Sequence, residues 1–180
     1  EIKTNTENNG ESILSDVAKA VDNKLAQEAI SKDDVQGIGI GVPGPVDSQG
    51  VVHRCVNLGW GVVNVAEELG NLTGLTIKVG NDANVAALGE MWQGGAKGSK
   101  DVIMVTLGTG VGGGIIVDGK VVAGFNGAGG EIGHITVNHD EIEACNCGQY
   151  GCLEQYTSAT GIVRLAKRKL AKSSEETSIR

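Results

Sequence analysis

Aromatic side chains are scarce in this sequence, with only five among 180 residues: Trp60, Trp92, Phe125, Tyr150 and Tyr156. Proteins that bind single-stranded nucleic acid stack the bases on aromatic rings, so this scarcity argues against that activity. Positive charge is also low, because 15 Lys and Arg are outnumbered by 22 Asp and Glu, which gives a net charge of -7. Neutralising phosphates requires clustered Lys and Arg. We therefore expect no nucleic-acid partner.

Long hydrophobic runs are missing as well. The longest uncharged stretch, residues 102–117, is shorter than the roughly 20 residues that span a bilayer, and five glycines interrupt it. No signal-peptide pattern opens the sequence. These features predict a cytoplasmic protein with no membrane partner.

The apolar residues form an alternating pattern of helices and strands. Predicted helices cover residues 12–29, 63–69, 82–92 and 158–171, the last with Ile162, Leu165, Ala166 and Leu170 on one face; predicted strands cover residues 36–42, 51–56, 75–79, 101–107, 115–117 and 120–123. Alternation of this kind is typical of an α/β fold. Asn81 and Asp82 follow a strand and begin a helix, which is where open α/β sheets place binding residues.

Glycine is abundant, with 29 residues, about twice the usual share of ~7%. The run LGTGVGGG at residues 107–114 lies between two predicted strands. It has neither the Gly-Lys-Ser/Thr ending of a Walker A loop nor the glycine spacing and helix of a dinucleotide site. As a hairpin it could hold phosphate oxygens with its N–H groups; a glycine hairpin with a structural role only is the alternative.

Three cysteines occur close together, as Cys145, Cys147 and Cys152, with His134 and His139 upstream. Zn²⁺ binds four such ligands in a tetrahedron, and one imidazole completes a Cys3His set. A cluster of reduced thiols without metal is the alternative, since a disulfide is unusual in the cytoplasm. The spacing predicts a zinc site and leaves the choice of histidine open.

Several polar residues are candidates for catalysis or ligand binding. Asp82 is a candidate general base, because a carboxylate ionised at neutral pH can accept a proton from a hydroxyl group; the alternative is an N-cap role on the helix that follows. Glu131 and His134 would share a face of a helix, and Glu154 follows the last cysteine. Such groups suit a polyhydroxylated ligand, although solvated surface charges are the alternative.

The motifs GVPGPVD, NLGW, GNDANVAALGE, LGTGVGGGIIVDG, GAGGEIGH and CNCGQYGCLE follow one another between about residues 37 and 166. In this combination and order the chain resembles the ROK family of sugar kinases and repressors, above all its bacterial glucokinase branch. The resemblance implies an α/β, actin-like (ribonuclease H-like) ATPase fold. Two domains would flank a cleft in which glucose and MgATP meet.

The resemblance also implies residue roles. Asp82 would deprotonate the 6-hydroxyl of glucose for attack on the γ-phosphate of ATP, and the zinc would be structural. The other implied contacts are Asn81, Glu131, His134 and Glu154 to the sugar; Gly108, Thr109, Gly110, Val111, Gly112, Gly113 and Gly114 to phosphate; and His134, Cys145, Cys147 and Cys152 to Zn²⁺. A homodimer is expected.

The sequence also departs from the family pattern. Kinases of the family begin with a strand and an Asp-x-Gly-Gly-Thr phosphate loop and end with an adenosine-binding segment, and these residues contain neither. We therefore expect a central portion, with residues 1–90 in a partial small domain and 91–180 in a partial large one. Such a chain would bind zinc, and glucose weakly, with little kinase activity. The alternatives are a ROK repressor's sugar-sensing module, a kinase for mannose, fructose or an N-acetyl hexosamine, and a zinc-stabilised carbohydrate-binding fragment.

Overall fold

The computed structural model describes residues 1–174 and 177–178; residues 175, 176, 179 and 180, at the end of the second predicted domain, lie outside the described part. The described helices are α1 (Ile13–Gln27), α2 (Val65–Thr73), α3 (Asp82–Gln93), α4 (Glu154–Thr157) and α5 (Ala159–Ala171). The strands are β1 (Ile38–Val42), β2 (Val51–Val52), β3 (Val63–Asn64), β4 (Ile77–Asn81), β5 (Val102–Leu107), β6 (Val111–Val117) and β7 (Lys120–Val121). The predicted α/β alternation is confirmed. No helix among these residues has the length and apolar composition needed to cross a bilayer.

A parallel pair of strands forms the first sheet. β1 and β4 lie side by side in a register that places Val42 opposite Asn81, so their carboxyl ends meet at one edge. Helices α1 and α2 pack against this pair through a core that includes Ala18, Leu69 and Ile77. Burial of these aliphatic side chains stabilises the packing of the two helices on the strand pair.

The second sheet is antiparallel, in the order β5-β6-β7, and α3 packs across it. A Cβ atom on Gly114 would lie 2.6 Å from the Cβ of Ala87, and one on Gly112 would lie 3.1 Å from the Cβ of Ala83. Glycine therefore allows the helix and strand to approach closely. Because α3 also contacts β1 and β4, it links the β1-β4 pair to the β5-β6-β7 sheet, and a domain boundary at residue 90 would fall inside this helix. The division into two domains stays a prediction.

The structure corrects the extent of the glycine-rich hairpin loop. Strand β6 begins at Val111, whereas the sequence predicted a loop through residue 114 and a strand from residue 115. Gly112 and Gly114 pair with Thr106 and Met104 of β5. Close packing under α3 therefore outweighs the weak strand propensity of glycine. The turn itself covers only residues 108–110.

Two other predicted elements change for local reasons. The predicted strand 51–56 ends at Val52, where β2 pairs with β3. The predicted helix 63–69 begins only at Val65, because Asn64 caps it by accepting a hydrogen bond from the Glu67 N–H at 3.2 Å. A side-chain cap of this kind sets the first helical residue.

Helix α5 covers its predicted apolar face only in part. Leu165, Ala166 and Leu170 of the predicted apolar face are half-buried, whereas Ile162 is 58% exposed. Gly161 is buried instead, and a Cβ there would lie 2.6 Å from the carbonyl oxygen of Glu154. Contact with α4 thus decides which side of α5 is covered.

Candidate functional site

A cleft of about 870 Å³ contains side chains from both sheets. All five residues predicted to bind sugar line it: Asn81, Asp82, Glu131, His134 and Glu154. Residues 108–113 of the predicted phosphate segment line it too, together with Cys145 and Cys147. Gly114 and Cys152 are not among the lining residues, because Gly114 lies under α3 and Cys152 is fully buried. The tertiary structure thus brings most of the predicted site together.

Asn81 and Asp82 divide two roles at the start of α3. The side-chain oxygen of Asn81 accepts hydrogen bonds from the N–H groups of Ala83 and Asn84 at 3.0 and 3.1 Å. Asn81 is therefore the N-cap, and the alternative that Asp82 caps the helix is wrong. The amide nitrogen of Asn81 also donates to the carbonyl of Gly44 at 3.1 Å. This bond connects the loop after β1 to the end of β4. The N-cap preference of Asn predicts the capping role but not this second contact.

The predicted metal ligands form one cluster. The ligand atoms of His134, Cys145, Cys147 and Cys152 all lie within 4.8 Å of one another, and His139 is not among them. The Sγ atoms of Cys147 and Cys152 are 3.7 Å apart, and Cys145 Sγ is 3.8 Å from His134 Nδ1. Tetrahedral Zn²⁺ with bonds of about 2.3 Å separates its ligands by about 3.8 Å. The donor set therefore fits zinc in both chemistry and spacing.

Burial sets the protonation of the cluster in the absence of metal. Desolvation raises the pKa of the Cys145 thiol, and the same cause raises the pKa of Cys152. The metal-free chain therefore holds these two residues as neutral thiols. Zn²⁺ binds thiolates, so binding would release their protons.

Tight turns give the cysteine segment its shape. The N–H of Gly148 donates to the carbonyl of Cys145 at 2.8 Å, and the N–H of Cys145 donates to the carbonyl of Gln149 at 2.7 Å. Gly148 has a φ of +92° and Gly151 one of +71°, and a Cβ on Gly151 would overlap Asn138. Both positions need the conformational freedom of glycine.

Carboxylates surround the His134 ring on two sides. A 3₁₀ turn at Ile132–His134 places His134 Nε2 3.9 Å from Glu131 Oε2, and Nδ1 lies 3.8 Å from Glu154 Oε1. Burial raises the pKa of Glu131; the negative charges of Asp82 and Glu154 add to this, while His134 opposes it. Partly buried acceptors concentrated in this way suit a ligand that presents many hydroxyl groups.

The glycine turn lies against Glu154 and the start of α5. A Cβ on Gly110 would lie 2.7 Å from Glu154 Oε2. The carbonyl of Gly108 accepts a hydrogen bond from the Ala159 N–H at 2.9 Å, and that of Thr109 accepts one from Thr160 Oγ1 at 2.7 Å. Sequence reasoning did not associate Thr160 with the turn, because 51 residues separate Thr109 from Thr160.

Comparison with known proteins gives the class to which this arrangement belongs. Residues 1–180 match the ROK family, so the chain belongs to that family. The glucokinase of Halalkalibacterium halodurans is 46% identical over 176 residues, which cover 97% of this chain and 53% of the relative. The chain spans about half the length of the curated relatives it matches.

Solved structures agree with this assignment. A ROK family glucokinase from Streptomyces griseus, in complex with glucose and AMPPNP, aligns with a TM-score of 0.79 and 38% identity, covering 96% of this chain and 53% of that protein. A ROK family transcriptional regulator, a homologue of the E. coli MLC protein, aligns with a TM-score of 0.81 and 28% identity, covering 94% and 42%. The fold is that of the ROK sugar kinases, the actin-like ATPase fold, as predicted.

Proposed function

We propose that this chain supplies the sugar-binding and metal-binding part of a ROK glucokinase, which transfers the γ-phosphoryl group of ATP to the 6-hydroxyl of glucose. The supporting observation is that Asp82, the residues around His134 and the glycine turn line one cleft. The identity to the Halalkalibacterium glucokinase favours this activity over others in the family.

Asp82 would act as the general base. Its carboxylate accepts the proton of the sugar 6-hydroxyl as that oxygen attacks phosphorus. Asn81, Glu131, His134 and Glu154 would hydrogen-bond the remaining hydroxyl groups and orient the sugar toward Asp82. Orientation of this kind supplies a large part of the rate acceleration in phosphoryl transfer.

The other groups bind phosphate and metal. The glycine turn at residues 108–110 would contact the phosphates through its backbone, and Mg²⁺ supplied with ATP would neutralise their charge. His134, Cys145, Cys147 and Cys152 would hold Zn²⁺. Four protein ligands leave no open position, so this zinc would be structural.

A sugar-sensing module of a ROK repressor is the second candidate. The likeness to a ROK transcriptional regulator supports it, and the sugar-side residues would serve a sensor equally well. Phosphoryl transfer separates the two candidates, since a sensor needs to bind sugar without phosphorylating it. A kinase for mannose, fructose or an N-acetyl hexosamine would show the same chemistry with another sugar preference.

A coupled ADP-release assay tests the proposal. The protein encoded by the whole reading frame is assayed with glucose, mannose, fructose and N-acetylglucosamine. The proposal expects turnover with glucose as the preferred sugar. Sugar binding without ADP release would favour the sensor, and preference for another hexose would move the assignment to that sugar. The predicted homodimer is checked by sedimentation of the same sample.

A further inference from the structure

The carboxylate of Glu141 is buried, and none of the sugar, phosphate or metal contacts proposed above involves it. Its side chain is only 2% exposed. Hydrogen bonds reach its two oxygens from the N–H groups of Ile142 and Glu143, the hydroxyl of Tyr156, and the guanidinium groups of Arg164 and Arg168. An unpaired buried carboxylate costs several kcal/mol, so this environment stabilises the charged form. The Arg168 guanidinium in particular holds the pKa of Glu141 well below its usual range.

The same arginines also bind Glu143. Arg164 Nη1 lies 3.1 Å from Glu143 Oε2, and Arg168 Nη2 lies 2.6 Å from Glu143 Oε1. We call the set Glu141, Glu143, Tyr156, Arg164 and Arg168 the Glu141 cluster. It joins the segment just before Cys145 to helix α5.

The Glu141 cluster holds the two residues that directly follow Glu154. Arg164 Nη2 donates to the carbonyl oxygen of Gln155 at 2.9 Å as well as to Glu141. The side-chain amide of Gln155 donates to the carbonyl of Glu143 at 2.9 Å. The hydroxyl of Tyr156 donates to Glu141 Oε2 at 2.7 Å. Hydrogen bonds thus connect residues 155 and 156 to residues 141–143, directly and through Arg164.

Helix α4, which begins at Glu154, needs such support. It has four residues, and a helix this short is not stable in isolation. On its N-terminal side lies Cys152, one of the metal-cluster residues, whose N–H donates to Gln155 Oε1 at 3.0 Å. On its C-terminal side, Ser158 Oγ donates to the carbonyl of Glu154 at 2.6 Å. The backbone position of Glu154 therefore depends on what holds residues 155 and 156, while Cys145 Sγ, 2.8 Å from Oε1, contacts its side chain.

We propose that Glu141 is a positioning residue: through Arg164 and Tyr156 its carboxylate fixes α4 and so directs Glu154 into the cleft, in addition to the direct contact between Glu154 and Cys145. The proposal rests on the proposed function only where it assigns Glu154 to the sugar.

Amide hydrogen exchange in the zinc-loaded 180-residue chain tests the positioning role without any sugar. Glu141→Gln keeps the shape of the side chain and removes its charge, and Glu28→Gln, which breaks an exposed pair with Lys24, is the matched control. We expect exchange at residues 154–157 to become at least about tenfold faster in Glu141→Gln, with α3 and β5 unchanged. Equal rates, or acceleration spread over the whole chain, would overturn the proposal.

Arg164→Lys provides a second variant in case Glu141→Gln does not fold. Lysine keeps the positive charge but lacks the planar guanidinium group that hydrogen-bonds both Glu141 and the Gln155 carbonyl. The proposal expects the same local acceleration at residues 154–157. Unchanged exchange in this variant would count against it.

Glucose titration followed by NMR tests the consequence for the site. We expect Glu141→Gln and Arg164→Lys to weaken binding about tenfold, the lower end for groups that orient a ligating residue, while zinc content and the affinity of Glu28→Gln stay unchanged. Unaltered affinity in both variants would show that the cluster does not position Glu154. If the unmodified chain bound no hexose, the proposed function would fail, and the exchange result would still decide the positioning role.

Discussion

The Sγ atom of Cys145 lies 2.8 Å from Oε1 of Glu154. A residue of the metal cluster thus touches a residue of the proposed sugar site. Without metal, the neutral thiol of Cys145 donates a hydrogen bond to this carboxylate, whereas a thiolate and a carboxylate would repel each other at this distance in the absence of a cation. A bound cation at the cluster would therefore favour the observed arrangement in the ionised state.

Loss of a metal ligand should release the zinc and reduce stability. Cys147→Ser removes one thiolate from the cluster, so we expect zinc to be lost and the unfolding free energy to fall by about 3 kcal/mol or more, which lowers the melting temperature by about 6–12 °C. Metal analysis and thermal unfolding measure the two effects. Cys55→Ala is the control, because it deletes a thiol outside the cluster. Retention of zinc by Cys147→Ser would refute the ligand set.

Replacement of Asp82 should affect turnover and leave the fold intact. The N-cap of α3 is Asn81, so Asp82→Asn removes the base without removing the cap. We expect a stability change within about 0.5 kcal/mol and a fall in kcat of about 10²–10⁴. Circular dichroism and the ADP-release assay of the whole reading frame check this. Full turnover in the variant would exclude Asp82 as the base.

Asn81→Ala should reduce the stability of the fold, unlike Asp82→Asn. It deletes the cap of α3 and the bond to Gly44, and we expect a loss of about 1–2 kcal/mol. Chemical denaturation of the zinc-loaded chain measures it, with Asp82→Asn as the neighbouring control. An equal effect of the two substitutions would contradict the assignment of the cap.

Two glycines of one run should respond differently to alanine. A Cβ on Gly114 would lie 2.6 Å from Ala87 and 2.7 Å from the Ala83 carbonyl, whereas nothing lies within 4 Å of a Cβ on Gly108. We expect Gly114→Ala to cost about 1–3 kcal/mol through overpacking. Gly108→Ala should be neutral or slightly stabilising. Denaturant titration measures the unfolding free energies of the two variants. Equal values for Gly114→Ala and Gly108→Ala would contradict the close packing of α3 on β6.

Acid should remove the contribution of Glu141 to stability. Its pKa is lowered in the folded protein, chiefly by Arg168, so the stabilisation is present above the unfolded value of about 4.3 and is lost as pH falls below it. We expect the stability difference between the unmodified chain and Glu141→Gln to shrink as the pH is lowered from 5 to 3. Denaturation at several pH values measures it. A constant difference would show that the charge of Glu141 does not stabilise the fold.

Most of the candidate site could be predicted from sequence, because its motifs are local. The cysteines are separated by only a few residues. Asn81 and Asp82 lie between a predicted strand and the helix that follows it. The glycine run was harder, because glycine is suited equally to a turn and to a strand under a helix. The packing of α3 on β6 separates the two uses, leaving residues 108–110 as the turn.

The sequence by itself determined the α/β alternation, the grouping of the three cysteines and the position of Asp82, since each follows from residues close together in the chain. The cysteine spacing left the choice between His134 and His139 open and the resemblance favoured His134; the tertiary structure shows that His134 is the imidazole near the thiols. It alone showed that Glu141 is buried, since Arg164 and Arg168 come 23 and 27 residues later. Contacts between distant residues follow from how the elements pack, and packing leaves no local signal in the chain.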